Sequence, residues 1–267
     1  MAKTDNLTDF LTDIADAIRD KKGTTGTINP QDFSSEIASI ESGGVADDVH
    51  NFTGEIINED AVGIENFKTA IVKEGVTKVL DFAFNAFSEL TYAYIPDTVT
   101  SVGTNVFYNC QKLESVRLSN RQTQIMSNAF NNCYALASIE IPTSVLLLGT
   151  QAFRNCTSLE EIICPSSVDT LRASVFYGCT NLKKVVFEGD ITTTVGATTF
   201  RDCTSLEAVD FSNCSRVIGL YNVTAFQNVP DTCKIVVPDA LYDDWIVASN
   251  WSTFASQIIK KSDYEAL

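Results

Sequence analysis

A phenylalanine recurs at a nearly fixed interval, with an apolar residue, most often cysteine, three positions later and leucine three positions after that. The triplets are Phe107/Cys110/Leu113, Phe130/Cys133/Leu136, Phe153/Cys156/Leu159, Phe176/Cys179/Leu182 and Phe200/Cys203/Leu206. An earlier copy has Phe84, Phe87 and Leu90, with Phe87 in the cysteine slot, and a degenerate late copy starts at Phe226 with Val229 in that slot. The steps from Phe84 to Phe226 are 23, 23, 23, 23, 24 and 26 residues. A period held over that many copies is the mark of a repeat architecture. One copy cannot bury its own apolar side, whereas stacked copies bury a continuous core. Each phenylalanine so buried contributes roughly 1.5–3 kcal/mol of transfer free energy.

Each copy continues into a short alternating stretch. Glu114-Ser115-Val116-Arg117-Leu118, Ala137-Ser138-Ile139-Glu140-Ile141 and Glu207-Ala208-Val209-Asp210-Phe211 place Val116, Leu118, Ile139, Ile141, Val209 and Phe211 on one face. A period of two predicts strands, with the intervening residues facing outward. Pro96, Pro142, Pro165 and Pro238 end several of them, as expected where a ladder must stop. A second apolar column, Val79, Val102, Ile125, Leu148, Leu171 and Val195, lies five residues before each phenylalanine. The stretch from there to the cysteine slot is too short for a full helix and reads as a turn or one to two helical turns.

The segment Ala129-Phe130-Asn131-Asn132-Cys133 through Ile141-Pro142 resembles the BspA-like leucine-rich repeats, over about residues 65–238. The resemblance implies an α/β leucine-rich-repeat solenoid with 23-residue repeats and a parallel sheet on one face. Members of that family occur on bacterial surfaces and in phage-derived proteins, generally as binding modules, and the resemblance implies no particular ligand.

The ends read differently. Leu7, Phe10, Leu11, Ile14, Ala15 and Ile18 make an amphipathic helical stripe, and Lys21-Lys22-Gly23 supplies its C-terminal signals. Asn29-Pro30 then opens a second helix through Phe33, Ile37 and Ile40. Residues 1–42 are thus expected to form a helical hairpin, too small to be stable alone and suited to docking or self-association. It resembles N-terminal hairpins of phage and prophage tail-associated proteins. Residues 43–66 are expected to be a linker and N-terminal cap, 67–238 the solenoid, and 239–267 a helical C-terminal cap bearing Leu241, Trp245, Ile246 and Trp251.

A net charge of −15 disfavours nucleic acid and anionic membranes as partners. No apolar run approaches the roughly 20 residues of a membrane span, so no membrane insertion is expected. Met1 to Leu7 lacks the layout of a secretion signal, which fits a virion-associated chain, with a bacterial cell-surface or extracellular protein as the alternative. His50 is the single histidine, which rules out a multi-histidine metal site. No phosphate-cradling glycine loop, dinucleotide fingerprint or CxxC pair is present, so neither cofactor nor enzymatic activity is expected. The cysteine column reads as reduced core thiols, and Asn109, Asn132 and Asn155 as turn residues that hydrogen-bond the backbone.

The outward strand positions remain as binding candidates, because the fold does not dictate them. They include Tyr92, Tyr94, Arg117, Glu140, Ile163, Lys184, Val186 and Asp210. Tyrosine and arginine are enriched in binding hot spots, and Ile163 and Val186 are expected to add exposed apolar area. The expected function is a non-enzymatic module whose sheet face binds a protein or surface glycan, for host recognition on a phage or prophage tail. The alternatives are an adhesin-like surface protein and a spacer without its own ligand.

Overall fold

The chain divides into two units, Met1–Asp47 and Asp48–Leu267. The computed structural model describes residues 49–54, 56–57 and 67–267, all in the second unit. The expected hairpin of residues 1–42 lies outside the described residues.

The backbone climbs as a series of coils, most with a longer and a two-residue strand. They are β1 (Val49–Phe52) and β2 (Ile56–Ile57), β3 (Thr69–Val72) and β4 (Lys78–Val79), β5 (Tyr92–Tyr94) and β6 (Ser101–Val102), and β7 (Ser115–Arg117) and β8 (Gln124–Ile125). The next coil has only β9 (Leu147–Leu148). There follow β10 (Glu161–Cys164) and β11 (Thr170–Leu171), β12 (Lys184–Phe187) and β13 (Thr194–Val195), β14 (Ala208–Asp210) and β15 (Gly219–Leu220), β16 (Lys234–Val237) and finally β17 (Ile258–Lys260). The longer strands form a four-stranded parallel sheet, β1-β3-β5-β7, and a five-stranded one, β10-β12-β14-β16-β17. The short strands stack as a second column. The ladder therefore extends past both ends of the 67–238 span expected for the solenoid.

The interior is a set of columns. The rings of Phe84, Phe107, Phe130, Phe153, Phe176 and Phe200 stack with centroids 5.2–5.9 Å apart and interplanar angles of 4–16°. The amide of each phenylalanine donates to the next coil, as Phe107 N to Ala129 O (2.9 Å), Phe130 N to Ala152 O (2.8 Å) and Phe153 N to Val175 O (2.9 Å). Residues two before and two after each phenylalanine have positive φ, for example Asn128 (+56°) and Asn132 (+64°) around Phe130. This alternation of backbone hand turns successive N–H groups the same way. Asn105, Phe107 and Asn109 accordingly donate to Ser127, Ala129 and Asn131 in the following coil. The segment is a succession of turns, not the helical turns that its length also allowed.

The asparagine column thus owes its composition to left-handed backbone, which Asn, Asp and Gly tolerate best. Asn109, Asn132, Asn155, Gly178, Asp202 and Asn228 all have φ between 58° and 73°. Two neighbouring pairs bond through their side chains, Asn155 Nδ2 to Asn132 Oδ1 at 2.8 Å and Asn228 Nδ2 to Asp202 Oδ1 at 2.6 Å, while Asn109 Oδ1 accepts from Gln111 Nε2 at 3.0 Å, in place of the bonds to the turn backbone that the sequence suggested.

All eight cysteines are free and buried. The five in the column do more than fill space. Each Sγ donates to the carbonyl of the phenylalanine one coil earlier, at 2.9–3.2 Å from Cys110 to Phe84, Cys133 to Phe107, Cys156 to Phe130, Cys179 to Phe153 and Cys203 to Phe176. Burial pushes the Cys110 thiol up to about 12 and the others of the column well above their usual range.

The expected strand at residues 137–141 does not form. Ile141 is buried and Ile139 half-buried, so the side chains keep their places while the backbone leaves the ladder. The preceding corner is tied backward. Arg117 Nη1 donates to Ile95 O (2.6 Å), Ser119 Oγ to Val99 O (2.5 Å) and Asn120 N to Asp97 Oδ1 (2.8 Å). These bonds tie residues 117–120 to the coil behind, and β7 is the last strand of its sheet.

The C-terminal cap combines a 3₁₀ turn (Asp239–Leu241), α1 (Tyr242–Val247), a second 3₁₀ turn (Trp251–Phe254), strand β17 and α2 (Lys261–Tyr264). Trp245 and Trp251 pack on Phe211 at 5.3 and 5.8 Å, Trp251 and Phe254 cover Phe226 at the end of the phenylalanine column at 5.8 and 5.1 Å, and Trp251 Nε1 donates to Ile218 O at 2.6 Å. A cap built with a strand extends the sheet by one further strand, β17, which the sequence's helical reading did not anticipate.

Two predictions follow from the columns. Phe153→Ala removes a ring stacked on both sides and should cost about 3–5 kcal/mol in urea unfolding. The second concerns pH. A thiol whose folded pKa is raised stays protonated in the folded chain while the unfolded chain ionises above about 8.5. Stability is therefore fully present below that pH and falls as pH rises through it, by about 1 kcal/mol per column thiol at pH 9. Cys156→Val, which places in the slot the residue found at Val229, should shallow that slope; equal slopes for the two proteins would contradict the linkage.

Candidate functional site

The outward face of the main sheet is organised by register. One row pairs Thr69, Tyr92 and Ser115, and further along Glu161, Lys184, Ala208 and Lys234. The next row pairs Ile71, Tyr94 and Arg117, then Ile163, Val186, Asp210, Val236 and Ile259. The structure thus brings together Tyr94 with Arg117, and Ile163 with Val186 and Asp210. Glu140 is exposed on the segment that leaves the ladder, between the two groups.

The Tyr92/Tyr94/Arg117 group is largely committed to the fold. Tyr92 is only 8% exposed, and burial, with the neighbouring Tyr94 adding to it, raises its pKa. The Arg117 guanidinium lies 5.2 Å from the Tyr94 ring centre, and its Nη2 pairs with Asp97 at 2.8 Å while Nη1 donates to Ile95 O. Partial burial opposes the charge on Asp97, but Arg117 and the Asn120 N–H outweigh it and hold the carboxyl below its usual range. Ile163 and Val186 are half-buried rather than exposed: Val186 is flanked by β10 and β14 at about 4.8 Å, and Ile163 stands on the edge strand beside β12. Asp210 Oδ1 accepts from Ser212 N at 2.8 Å, which caps the turn after β14.

A second concavity lies along the short-strand column, where the sequence reading placed no site. It is a notch of about 650 Å³ lined by Leu80, Asp81 and Phe82 on one wall, Thr100 to Gly103 on the floor, and Gln122 to Gln124 with Met126 on the other. Gly103 lets its coil lie close against the one before, since a Cβ there would run into the backbone of Leu80 and Asp81. The position following each inward apolar residue reads Leu80, Gly103, Met126, Gly149, Arg172, Gly196 and Tyr221, large and glycine in alternate coils. Gly149 and Gly196 face the same constraint, with a Cβ 2.5 Å from Ser127 N and 2.8 Å from Ala173 Cα. That alternation was the signal available in the sequence.

These coils match the family model of the BspA type leucine rich repeat region over residues 55–179 and 123–243. The chain belongs to the BspA-type leucine-rich repeat family. A leucine rich repeat protein of T. pallidum is similar in fold, with 24% identity and a TM-score of 0.55 over 62% of this chain and 79% of that one. A leucine-rich repeat protein from Bacteroides ovatus shares 26% identity with a TM-score of 0.50, over 61% of this chain but only 43% of its own. No curated protein matches the chain. The family assignment accounts for the spacing and the columns and leaves the surface residues unassigned.

Arg117→Ala should lower stability by about 1–2 kcal/mol through loss of its backbone bond and ring contact. Arg117→Lys should recover less than half of that, because an ammonium cannot span Ile95 O and Asp97 as the planar fork does. An unchanged urea midpoint for the alanine variant would show that this cluster is free for a ligand.

Proposed function

We propose that the chain is a non-enzymatic binding module of adhesin-like character, working at a bacterial cell surface or on a virion. The observation that carries this reading is the fixed register of Ile163, Val186 and Asp210 beside Lys184 on the five-stranded sheet. A parallel ladder over a close-packed interior holds such side chains rigidly, so a ligand meets a preorganised surface. Half-buried aliphatic residues rimmed by opposite charges suit a protein or glycan surface better than a small metabolite. Tyr94 and Arg117 extend the face but contribute shape more than free contacts, and Glu140 and Tyr92 stand at its margins.

Residues 1–42 supply the proposed attachment. Their amphipathic stripe would dock the module onto a larger assembly, for which a phage or prophage tail is our preferred reading. Light scattering tests this part. A full chain that oligomerises and a version starting at Val45 that is monomeric would support an assembly role, whereas equal monomeric masses would remove it.

The sheet-face reading is tested by binding of labelled protein to intact bacterial cells. An Ile163→Ser/Lys184→Ala/Val186→Ser variant should bind at least tenfold more weakly with its melting temperature nearly unchanged. Wild-type binding by a folded variant would exclude this face.

A further inference from the structure

We propose that the notch floored by Gly103 is a binding site for a neutral, β-linked oligosaccharide lying along the solenoid axis. It is separate from the sheet face and does not depend on that face having a ligand.

Phe82 is the first observation. Its φ is +61°, and it is 42% exposed. The residues at the same place in later coils are Asn105, Asn128, Gln151, Ser174 and Thr198, all polar and all with positive φ. A bulky aromatic is poorly suited to left-handed backbone, and here its ring is not withdrawn into the core in return. Strain retained at an exposed side chain points to function. The ring, with Leu80 (42% exposed) beside it, gives the notch an apolar wall.

Gln122 on the opposite wall is the second and independent observation. It is 2% exposed, and its Oε1 has no hydrogen-bond partner among the described residues. A buried acceptor left unpaired is costly, and because Oε1 lies beneath the surface a ligand donor satisfies it only when the amide turns toward the notch. Thr100, Ser101 and Gln124 complete a lining of hydroxyl and amide groups.

An aromatic face opposite amides and hydroxyls is the chemistry that recognises a sugar ring, by packing of its C–H face and bonds to its hydroxyls. The net charge of −15, and Asp81 in the wall, disfavour anionic sugars. The glycines recur at Gly103, Gly149 and Gly196, that is every second coil. Two coils rise about 10 Å, close to the length of a β-1,4-linked disaccharide. The notch at Gly103 carries the aromatic wall of Phe82 and is the proposed primary subsite, and the line of glycines gives the direction in which the sugar chain would run.

The test uses the full chain with cellohexaose and N-acetylchitohexaose as probes, by titration calorimetry and saturation-transfer NMR. At least one hexasaccharide should bind. Phe82→Asn, which installs the residue found at Asn105 and Asn128, should weaken that binding tenfold or more while the melting temperature holds or rises. Gln122→Leu should weaken it at least fivefold in a folded protein. The sheet-face triple variant should bind the sugar as the wild type does, which separates this site from the other. The proposal is overturned if neither sugar binds, even where a peptide occupies the notch instead. It is also overturned if folded Phe82→Asn binds unchanged, or if that substitution lowers the melting temperature and so marks the ring as a packing residue.

Discussion

Every coil must hand its phenylalanine ring and its backbone donors to the next coil at one spacing. The ring contact sets a separation of 5.2–5.9 Å, and the amides of Phe107, Phe130 and Phe153 reach the following coil only if the backbone on either side changes hand. The thiols close the same gap from the other direction, since Cys133 returns a bond to Phe107 O. Ring, amide and thiol thus act on one residue per coil. At the end of the column Phe226 keeps only the ring contact, tilted 41° on Phe200 at 5.1 Å. Coils that touch only their neighbours also need covers, which Phe52 provides edge-on to Phe84 and Trp245 and Trp251 provide over Phe211.

The columns facing inward could be read from the amino-acid sequence because each repeats the same physical demand. Phe, Cys, Leu and the two apolar strand positions recur for burial, and they lie where periodicity put them, with Ile139 and Val229 half-buried. Conformational demands were less visible. Asn132 and Asn155 suggested side-chain bonds to the turn, whereas the common property of Asn, Asp and Gly in that column is tolerance of positive φ. The missing strand at residues 137–141 was hidden for a related reason. Ile139 and Ile141 alternate as a strand should, yet the main ladder breaks between β7 and β10, and the local alternation is the same on both sides of the break.

The candidate sites show the same division. Outward residues are under no shared constraint, so the period identifies which positions face solvent but not which are accessible. Tyr92 is a hot-spot residue by type and is buried by its surroundings, and Arg117 is engaged by Asp97 and Ile95. The notch became visible only when Gly103 could be placed against the backbone of Leu80 and Asp81. Family membership fixes the scaffold on which both surfaces are displayed, and function resides in the residues that the scaffold leaves free.

Amide hydrogen exchange of the phenylalanine column examines the central constraint most directly. Phe107, Phe130, Phe153 and Phe176 lie in turns, where amides ordinarily exchange fast, yet each donates to the next coil at 2.8–3.0 Å. Their protection should match that of Val185 and Val209 in the main ladder, with residues 138–140 far less protected. Exchange of those four amides at the rate of open turns, with only the strands protected, would mean that the strands alone hold the coils in register.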